Sequence, residues 1–142
     1  MKSENAITYS YVVPGDDFTR AGEASGNIKS VLKKLGVSPE VVRKVAISMY
    51  EGEINMVIHA GGGQIEVVIE PDQVLMVLTD QGPGIADIDK AMQEGWSTAT
   101  AQVRNLGFGA GMGLPNMKKY SDEMTVESTV GVGTVVTMKV HL

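Results

Sequence analysis

The sequence predicts an α/β (α+β) two-layer sandwich, with one mixed, mainly antiparallel sheet and helices on one of its faces. Apolar and polar residues alternate over residues 6–13, which indicates a strand with one buried face. Apolar residues recur every three or four positions over residues 18–35 and 39–60, which indicates two amphipathic helices. Residues 64–70 and 73–80 read as strands joined by a tight turn, so they are expected to pair as an antiparallel hairpin. Helices and antiparallel strands in this order predict one sheet covered by helices.

The first elements are a strand and a helix. The strand is expected to bury Ile7, Tyr9, Tyr11 and Val13 on one side. Asp16 or Asp17 can cap the helix that follows, and Gly36 is expected to end it. The helix's apolar stripe consists of Phe18, Ala21, Ser25, Ile28, Leu32 and Leu35.

The second helix is expected to run from Ser38 to about Ala60, with Ser38 as N-cap and Pro39 in the first helical position. A short helix is predicted over residues 85–93 and another over about 112–120. Residues 94–109 show no clear period, and a loop of that length is typical of a functional segment. Strands are predicted near residues 123–128 and 133–141.

Length and composition limit the function classes. A chain of 142 residues is expected to form a single domain, residues 1–142. A net charge of −5 and the lack of a basic stripe argue against direct nucleic-acid binding. The lack of cysteine excludes disulfides, thiolate metal sites and Cys nucleophiles. No signal peptide and no long apolar run are seen, so we expect a cytoplasmic protein that does not bind membranes.

The chain is organised around residues 80–85, Asp-Gln-Gly-Pro-Gly-Ile. The apolar strand ends at Asp80, and Gly82 and Gly84 follow on either side of a proline. Glycine allows the backbone to approach a ligand closely, and a carboxylate accepts hydrogen bonds from a donor such as an exocyclic amine. By itself this pattern can also be an ordinary tight turn.

Two further features point to a nucleotide. Glu51 and Asn55 lie one turn apart on one face of the second helix, where Asn55 can offer an oxygen to Mg²⁺ and Glu51 can act as a base. A solvent-exposed face is the alternative for that pair. The glycine-rich run at residues 107–113 precedes a helix and offers unhindered N–H groups to an anion; a flexible hinge is the alternative.

These motifs together resemble the N, G1 and G2 boxes of the GHKL ATPase superfamily. The matching residues are Glu51 and Asn55, then Asp80, Gly82 and Gly84, then Gly109, Gly111 and Gly113, and finally Gly133 and Thr134. Residues 109–117, Gly-Ala-Gly-Met-Gly-Leu-Pro-Asn-Met, look like the small bacterial anti-sigma serine kinases and stressosome switch kinases (the RsbW, SpoIIAB and RsbT group). The fold implied is the Bergerat ATP-binding fold.

The resemblance implies a role for each matching residue. Glu51 would be the catalytic base or water-positioning carboxylate, and Asn55 would coordinate Mg²⁺. Asp80 would accept a hydrogen bond from the adenine amine, with Thr134 holding Asp80 or a bridging water. The implied ATP-binding set is Asn55, Asp80, Gly82, Gly84, Ile85, Gly109, Gly111, Met112, Gly113, Leu114 and Thr134, with ATP or ADP and Mg²⁺ as cofactors.

One departure concerns the γ-phosphate. Anti-sigma members commonly carry an Arg just before the G2 glycines, whereas residues 106–110 here are Leu-Gly-Phe-Gly-Ala. In the second helix Tyr50 stands where relatives have a small residue, and Gly52 lowers helix propensity. No box residue is lost.

The leading hypothesis is a partner-switching serine/threonine protein kinase that phosphorylates a STAS-domain antagonist and so regulates a sigma factor or stress pathway. A phosphatase is a further possible partner, and homodimerisation is plausible because relatives dimerise. The alternative is a nucleotide-gated regulatory binding protein with little or no kinase activity. A detached histidine kinase catalytic domain and a structural domain without nucleotide are weaker alternatives.

Overall fold

A computed structural model describes residues 6–15, 20–85, 92 and 113–142 of the chain. In those residues it contains five strands and three helices. In chain order they are β1 (Ile7–Pro14), α1 (Glu23–Lys34), α2 (Pro39–His59), β2 (Gly62–Ile69), β3 (Gln73–Asp80), α3 (Gly113–Lys119), β4 (Glu123–Thr129) and β5 (Gly133–His141). The predicted helix over residues 85–93 lies outside the described residues except for Ile85 and Met92.

The five strands form one sheet in the order β1-β2-β3-β5-β4. Every pairing among the described strands is antiparallel. The predicted β2–β3 hairpin is confirmed, and the N–H of Glu70 donates to the carbonyl of Gln73 at 2.8 Å across its turn. The register between β3 and β5 places Asp80 opposite Thr134. Two residues far apart in sequence therefore meet at one end of the sheet.

The core lies between the helices and one face of the sheet, so the predicted two-layer fold is confirmed. α2 is the central helix, since it contacts α1, α3 and strands β1, β2, β3 and β5. The buried cluster joins residues of the helices to the inward side chains of the strands, among them Ile28, Leu32, Val45, Met49, Met56, Val67, Met76, Met117 and Met138. Burying these side chains supplies the main driving force for folding.

The start of the first helix differs from the prediction. α1 begins at Glu23, with Gly22 as its N-cap residue in a left-handed conformation, and not near residue 18. The acceptor at this helix start is the carboxylate of Glu53 on α2, which accepts from the first N–H groups of α1, and the predicted caps Asp16 and Asp17 lie outside the described residues. A side chain supplied by another element can replace a local N-cap, and local sequence patterns do not reveal it.

Two residues of the predicted apolar stripes are exposed. Leu35 is 50% exposed because it follows the last residue of α1, where the chain turns at Gly36 (φ 78°). Ile7 is 42% exposed on β1, which pairs with one strand only among the described residues. Ser38 does cap α2, and its hydroxyl accepts from the N–H of Val41 at 3.4 Å.

No helix among the described residues has both the length and the apolarity needed to cross a bilayer.

Candidate functional site

α2 packs closely against the sheet at Gly52, and this packing determines how far its polar residues are buried. A Cβ at Gly52 would run into Leu78 Cδ2 on β3 and would lie 3.0 Å from Met117 Cε on α3. Gly52 therefore permits close packing in the middle of α2, although glycine lowers helix propensity. The two neighbouring site candidates, Glu51 and Asn55, are both half-buried rather than fully exposed.

Glu51 is held by the helix that follows the glycine-rich run. Nδ2 of Asn116 on α3 donates to Oε1 of Glu51 at 3.3 Å. Burial raises the pKa of Glu51 above its ordinary value, and the hydrogen bond from Asn116 opposes this by lowering it. The carboxylate of Glu51 is therefore half-buried and has a protein partner, and it does not lie on a fully exposed face.

Tyr50, which precedes Glu51 in α2, also has a raised pKa. Burial is the main cause that raises the pKa of Tyr50, and the charges of Glu51 and Glu53 raise it further. Tyr50 packs beside Gly22, where a Cβ would lie 3.2 Å from Tyr50 Cε1.

Glu53 lies off the Glu51–Asn55 face, as its position in the helix predicts, and it has a different task. Its carboxylate is only 2% exposed. It accepts from the N–H groups of Gly22 at 3.0 Å, Ala24 at 3.1 Å and Ser25 at 3.1 Å. A negative charge at a helix N-terminus is stabilised by the free N–H groups and the helix dipole. Glu53 thus joins α1 to α2.

The carboxylate of Asp80 is oriented by two backbone donors. Its Oδ1 accepts from the N–H of Gly82 at 2.9 Å and from the N–H of Thr134 at 3.3 Å. Both of these bonds end on the same oxygen, so within the described part of the chain the lone pairs of Oδ2 are available to a ligand. Gly82 lies against the end of α2, because a Cβ there would be 2.7 Å from Ala60.

The turn after Asp80 is fixed to the β4–β5 hairpin. Gly84 has φ 79°, and a Cβ at Gly84 would lie 2.5 Å from the carbonyl oxygen of Thr129. A residue other than glycine is disfavoured there both by its backbone conformation and by this contact. The N–H of Gly131 donates to the carbonyl of Pro83 at 2.9 Å.

Two hydroxyls lie behind this turn. Thr134 is 7% exposed, and its Oγ1 is 2.8 Å from Oγ of Ser128. Ser128 Oγ also accepts from the N–H of Ile85 at 2.7 Å and lies 3.2 Å from the carbonyl oxygen of Gly133. The contact between Thr134 and Asp80 is made by the backbone N–H of Thr134, while its hydroxyl pairs with Ser128.

The glycine-rich candidates are only partly described. Gly113 is the first residue of α3, and the side chain of Leu114 is buried in the core at 7% exposure. At Leu114 a ligand would therefore meet the backbone. Gly109, Gly111 and Met112 lie outside the described residues.

A cavity of about 340 Å³ lies elsewhere, on strands β1, β2 and β3. Its lining includes Ser10, Val12, Gln64, Glu66 and Thr79, and it contains none of the predicted site residues. We therefore assign it no part in the site formed by α2, the turn after β3 and the β4–β5 hairpin.

Comparison with known proteins identifies the family. Residues 16–140 match the family described as "Histidine kinase-like ATPase domain". The chain belongs to this family. It is thus a GHKL-type ATPase domain and has an ATP-binding fold.

Its similar proteins place it in the anti-sigma and switch-kinase group of these ATPase domains. The chain is 34% identical to the serine/threonine-protein kinase RsbT of Bacillus subtilis over 110 residues, which cover 75% of this chain and 77% of RsbT. It is 32% identical over 108 residues to an anti-sigma F factor of Caldanaerobacter subterraneus, with 72% of each chain covered. An anti-sigma F factor of Geobacillus thermodenitrificans is 28% identical over an alignment that covers all of this chain and 94% of that protein.

A solved structure shows the same fold. The mycobacterial sensor histidine kinase MprB aligns with a TM-score of 0.54 at 15% identity, covering 95% of this chain and 97% of that one. At this identity the likeness concerns the fold alone.

Two polar residues of the site were not assigned from the sequence. Asn116 lies within the predicted G2 stretch, but nothing in the sequence links it to Glu51 on another helix. Ser128 lies on an exposed edge strand, where serine is a common residue. The bonds of Asn116 with Glu51 and of Ser128 with Ile85 join residues that are distant in sequence, so spacing alone does not reveal them.

Proposed function

We propose that this ATPase domain is a serine/threonine protein kinase of the bacterial partner-switching type. The observation that carries the proposal is the half-buried carboxylate of Glu51, which Asn116 orients one helical turn from Asn55. The likeness to RsbT, whose name is that of a serine/threonine-protein kinase, supports the same assignment.

The adenine of ATP or ADP would bind at the Gly-Pro-Gly turn. Asp80 would accept a hydrogen bond from the 6-amino group through Oδ2, since Oδ1 is occupied by the N–H groups of Gly82 and Thr134. Gly84 and Ile85 would line the approach of the ring, and Thr134 would complete the edge that reads the base. This arrangement is pre-organised because its hydrogen bonds exist within the protein alone.

The phosphates would meet the glycine-rich run, with Gly109, Gly111, Met112, Gly113 and Leu114 offering backbone N–H groups. Asn55 would hold Mg²⁺ through its amide oxygen. The described residues contain no cluster of three or more His, Cys, Asp or Glu side chains that could hold a metal ion. A single amide oxygen from Asn55 fits Mg²⁺ that is bound chiefly by waters and substrate phosphates, which is the usual arrangement in kinase sites. When bound, the ion neutralises phosphate charge.

Glu51 would act on the attacking hydroxyl. As the Ser or Thr oxygen forms its bond to the γ-phosphorus, the bond from that phosphorus to the β–γ bridging oxygen breaks, and ADP leaves with the electron pair. The hydroxyl proton passes to the Glu51 carboxylate. A half-buried carboxylate with a raised pKa is a better proton acceptor than one in water. Positioning supplies much of the remaining rate enhancement.

The protein substrate would be a STAS-domain antagonist, whose phosphorylation would change its hold on this chain. A sigma factor or a phosphatase would be a further partner, and the chain would act as a monomer or a homodimer. This partner set is taken from the resemblance to anti-sigma factors and switch kinases.

A second function is favoured by one feature of the sequence. The segment Leu106–Ala110 carries no arginine to neutralise the γ-phosphate, and several relatives are named anti-sigma F factors rather than kinases. A nucleotide-gated regulatory protein would bind ATP or ADP and a partner protein with little phosphoryl transfer.

One experiment tests both functions. ADP binding is measured by calorimetry with and without Mg²⁺, and phosphate transfer is measured from γ-labelled ATP to STAS-domain proteins of bacterial partner-switching modules. We expect one ADP per wild-type chain. Glu51→Gln should keep this binding and lose transfer by roughly 10²-fold or more, the usual contribution of a general base.

The exposed Glu40→Gln on the same helix is the matched control and should leave both readouts unchanged. A fully active Glu51→Gln variant would refute the base assignment. If the wild-type protein binds ADP but transfers no phosphate, the kinase assignment is refuted and the nucleotide-gated regulatory protein takes its place. No binding at millimolar nucleotide would overturn both.

A further inference from the structure

We propose that Ser128 is a positioning residue for adenine recognition, because its hydroxyl sets the direction in which the Thr134 hydroxyl donates. This inference rests on the proposed nucleotide site and adds a residue to it. Ser128 itself is not expected to touch the nucleotide. It lies on β4, on the far side of Thr134 from Asp80.

Ser128 connects three separate parts of the site. Its Oγ accepts from the N–H of Ile85, which ends the Gly-Pro-Gly turn, at 2.7 Å. It lies 2.8 Å from Thr134 Oγ1 at the start of β5, and it reaches the carbonyl of Gly133 at 3.2 Å. The backbone N–H of Thr134 in turn donates to Asp80. One hydroxyl therefore fixes the turn, the second hydroxyl and the strand that orients the carboxylate.

The number of protons limits how these bonds can be made. A serine hydroxyl has one proton to donate and two lone pairs. Ile85 occupies one lone pair. If Ser128 donates to Gly133, Thr134 must donate to Ser128 and presents only lone pairs to the pocket. If Ser128 donates to Thr134, the Thr134 proton is free to point into the pocket.

The second arrangement gives the pocket an acceptor beside a donor. Asp80 Oδ2 accepts, and the Thr134 hydroxyl donates directly or through a water. The Watson–Crick edge of adenine is the complement of this pair, with a 6-amino donor beside the N1 acceptor. Guanine presents a 6-oxo acceptor and an N1–H donor, so it would place like groups opposite each other. The distances favour this arrangement, because the 2.8 Å contact with Thr134 lies within the usual O–H···O range and the 3.2 Å contact with Gly133 lies beyond it. Ser128 thereby favours the hydroxyl direction that adenine requires.

The test is a thermodynamic cycle in which the protein is changed at Ser128 and the ligand is changed at atom N1 of the base. ADP and 1-deaza-ADP, which has C–H in place of N1, are titrated into wild-type protein and Ser128→Ala. We expect 1-deaza-ADP to bind the wild type about five- to twentyfold more weakly than ADP, since a buried donor would lose its acceptor. In Ser128→Ala we expect weaker ADP binding and a ratio between the two ligands that falls towards one.

Two further variants separate positioning from a general structural effect. Ser128→Thr keeps the hydroxyl and should restore most of the ratio. Ser121→Ala removes a serine hydroxyl that donates to Met117 at 2.7 Å outside the site, and it should change neither affinity. Amide exchange at Ile85, measured without nucleotide, should speed up in Ser128→Ala and not in Ser121→Ala.

Each result decides something. A ligand ratio in Ser128→Ala equal to that of the wild type, with weaker binding of both ligands, would overturn positioning and leave a structural serine. Unchanged Ile85 exchange would also contradict it. If wild-type protein binds ADP but does not distinguish 1-deaza-ADP, this inference fails while the proposed function stands. If the wild-type protein does not bind ADP, both the proposed function and this inference are refuted.

Discussion

Three carboxylates around the candidate site are held in three different ways, and their surroundings separate their tasks. Glu53 is buried and accepts three backbone N–H groups, which makes it a structural anchor. Asp80 is fixed through one oxygen, Oδ1, which accepts from two backbone N–H groups. Glu51 is half-buried with one long hydrogen bond, and burial raises its pKa above the ordinary value. Residue type alone does not distinguish these roles.

The bond between Asn116 and Glu51 gives a prediction at the residue scale. Asn116→Leu removes the donor and should raise the pKa of Glu51 further, because burial then acts without opposition. The pKa can be followed by carbon-detected NMR titration of the Glu51 carboxyl group. A proposed base that protonates at higher pH should also move the acidic limb of the pH–rate profile to higher pH.

The control is Asn27→Leu, which removes an asparagine from α1 where it accepts from Tyr11. It should leave the Glu51 titration unchanged. An equal titration curve in wild type and Asn116→Leu would show that the 3.3 Å contact has no influence on the carboxylate.

At the scale of elements, the sequence predicted most strands and helices because each one carries its own pattern. The period-two strands, the Ser38–Pro39 helix start and the Pro71–Asp72 hairpin were all visible locally and are confirmed. The start of α1 was wrong because its cap comes from Glu53, which lies 29 residues downstream of Ala24. The contacts Glu51–Asn116 and Ile85–Ser128 were missed for the same physical reason, because each joins elements that are distant in sequence and meet only in the packed fold.

Gly52 shows how packing overrides propensity within one helix. Gly52→Ala gains about 1 kcal/mol of helix propensity, yet its Cβ would meet Leu78 and Met117, which are both buried. Overpacking a core typically costs about 1–3 kcal/mol, so we expect a net loss of stability. The measurement is the free energy of unfolding in urea.

The same substitution elsewhere supplies the control. Gly26 lies in α1, and among the described residues no atom outside the local backbone of that helix lies within 4 Å of the position that a Cβ would take there. Gly26→Ala should therefore stabilise the protein by about 0.5–1 kcal/mol. Changes of the same sign in the two variants would contradict this account.

The join between α1 and α2 depends on Glu53. Glu53→Ala leaves the N–H groups of Gly22, Ala24 and Ser25 without their acceptor, two of these bonds being buried. Loss of a cap and of buried hydrogen bonds should cost roughly 2–4 kcal/mol in the free energy of unfolding. Amide exchange should increase first at the start of α1.

Glu40→Ala, exposed in the first turn of α2, is the comparison and should change stability by no more than about 0.5 kcal/mol. A Glu53→Ala variant that unfolds at the same urea concentration as wild type would mean that water replaces the carboxylate at no cost.

At the scale of the whole molecule, the candidate site forms where three parts of the chain meet at one end of the sheet. α2 supplies Glu51 and Asn55, β3 and its turn supply Asp80 to Ile85, and the β4–β5 hairpin supplies Ser128 and Thr134. The antiparallel register of β3 and β5 brings the last two parts together. The site therefore forms only when these elements are folded together. Its polar groups are expected to affect the global stability as well as the function.

The ionisation of Glu51 allows the link between the candidate site and the global stability to be measured. Its pKa in the folded protein is raised above the ordinary 4.5, mainly by burial, so the folded state holds this proton more tightly than the unfolded chain does. The stability contributed by the protonated group is fully present below the unfolded pKa and is lost as pH rises through the folded pKa. At neutral pH the ionised carboxylate therefore lowers the stability of the wild type.

Glu51→Gln keeps an oxygen for Asn116 and cannot ionise. We expect this variant to be more stable than wild type at about pH 7–8, with the difference shrinking as the pH falls towards the ordinary pKa of 4.5. Urea unfolding at a series of pH values measures it, and the exposed Glu40→Gln controls for the loss of one surface charge. A difference that grows on acidification would mean that Glu51 is stabilised as a carboxylate. A stability gain at neutral pH with loss of phosphate transfer would show that the fold gives up stability to keep a desolvated base in its site.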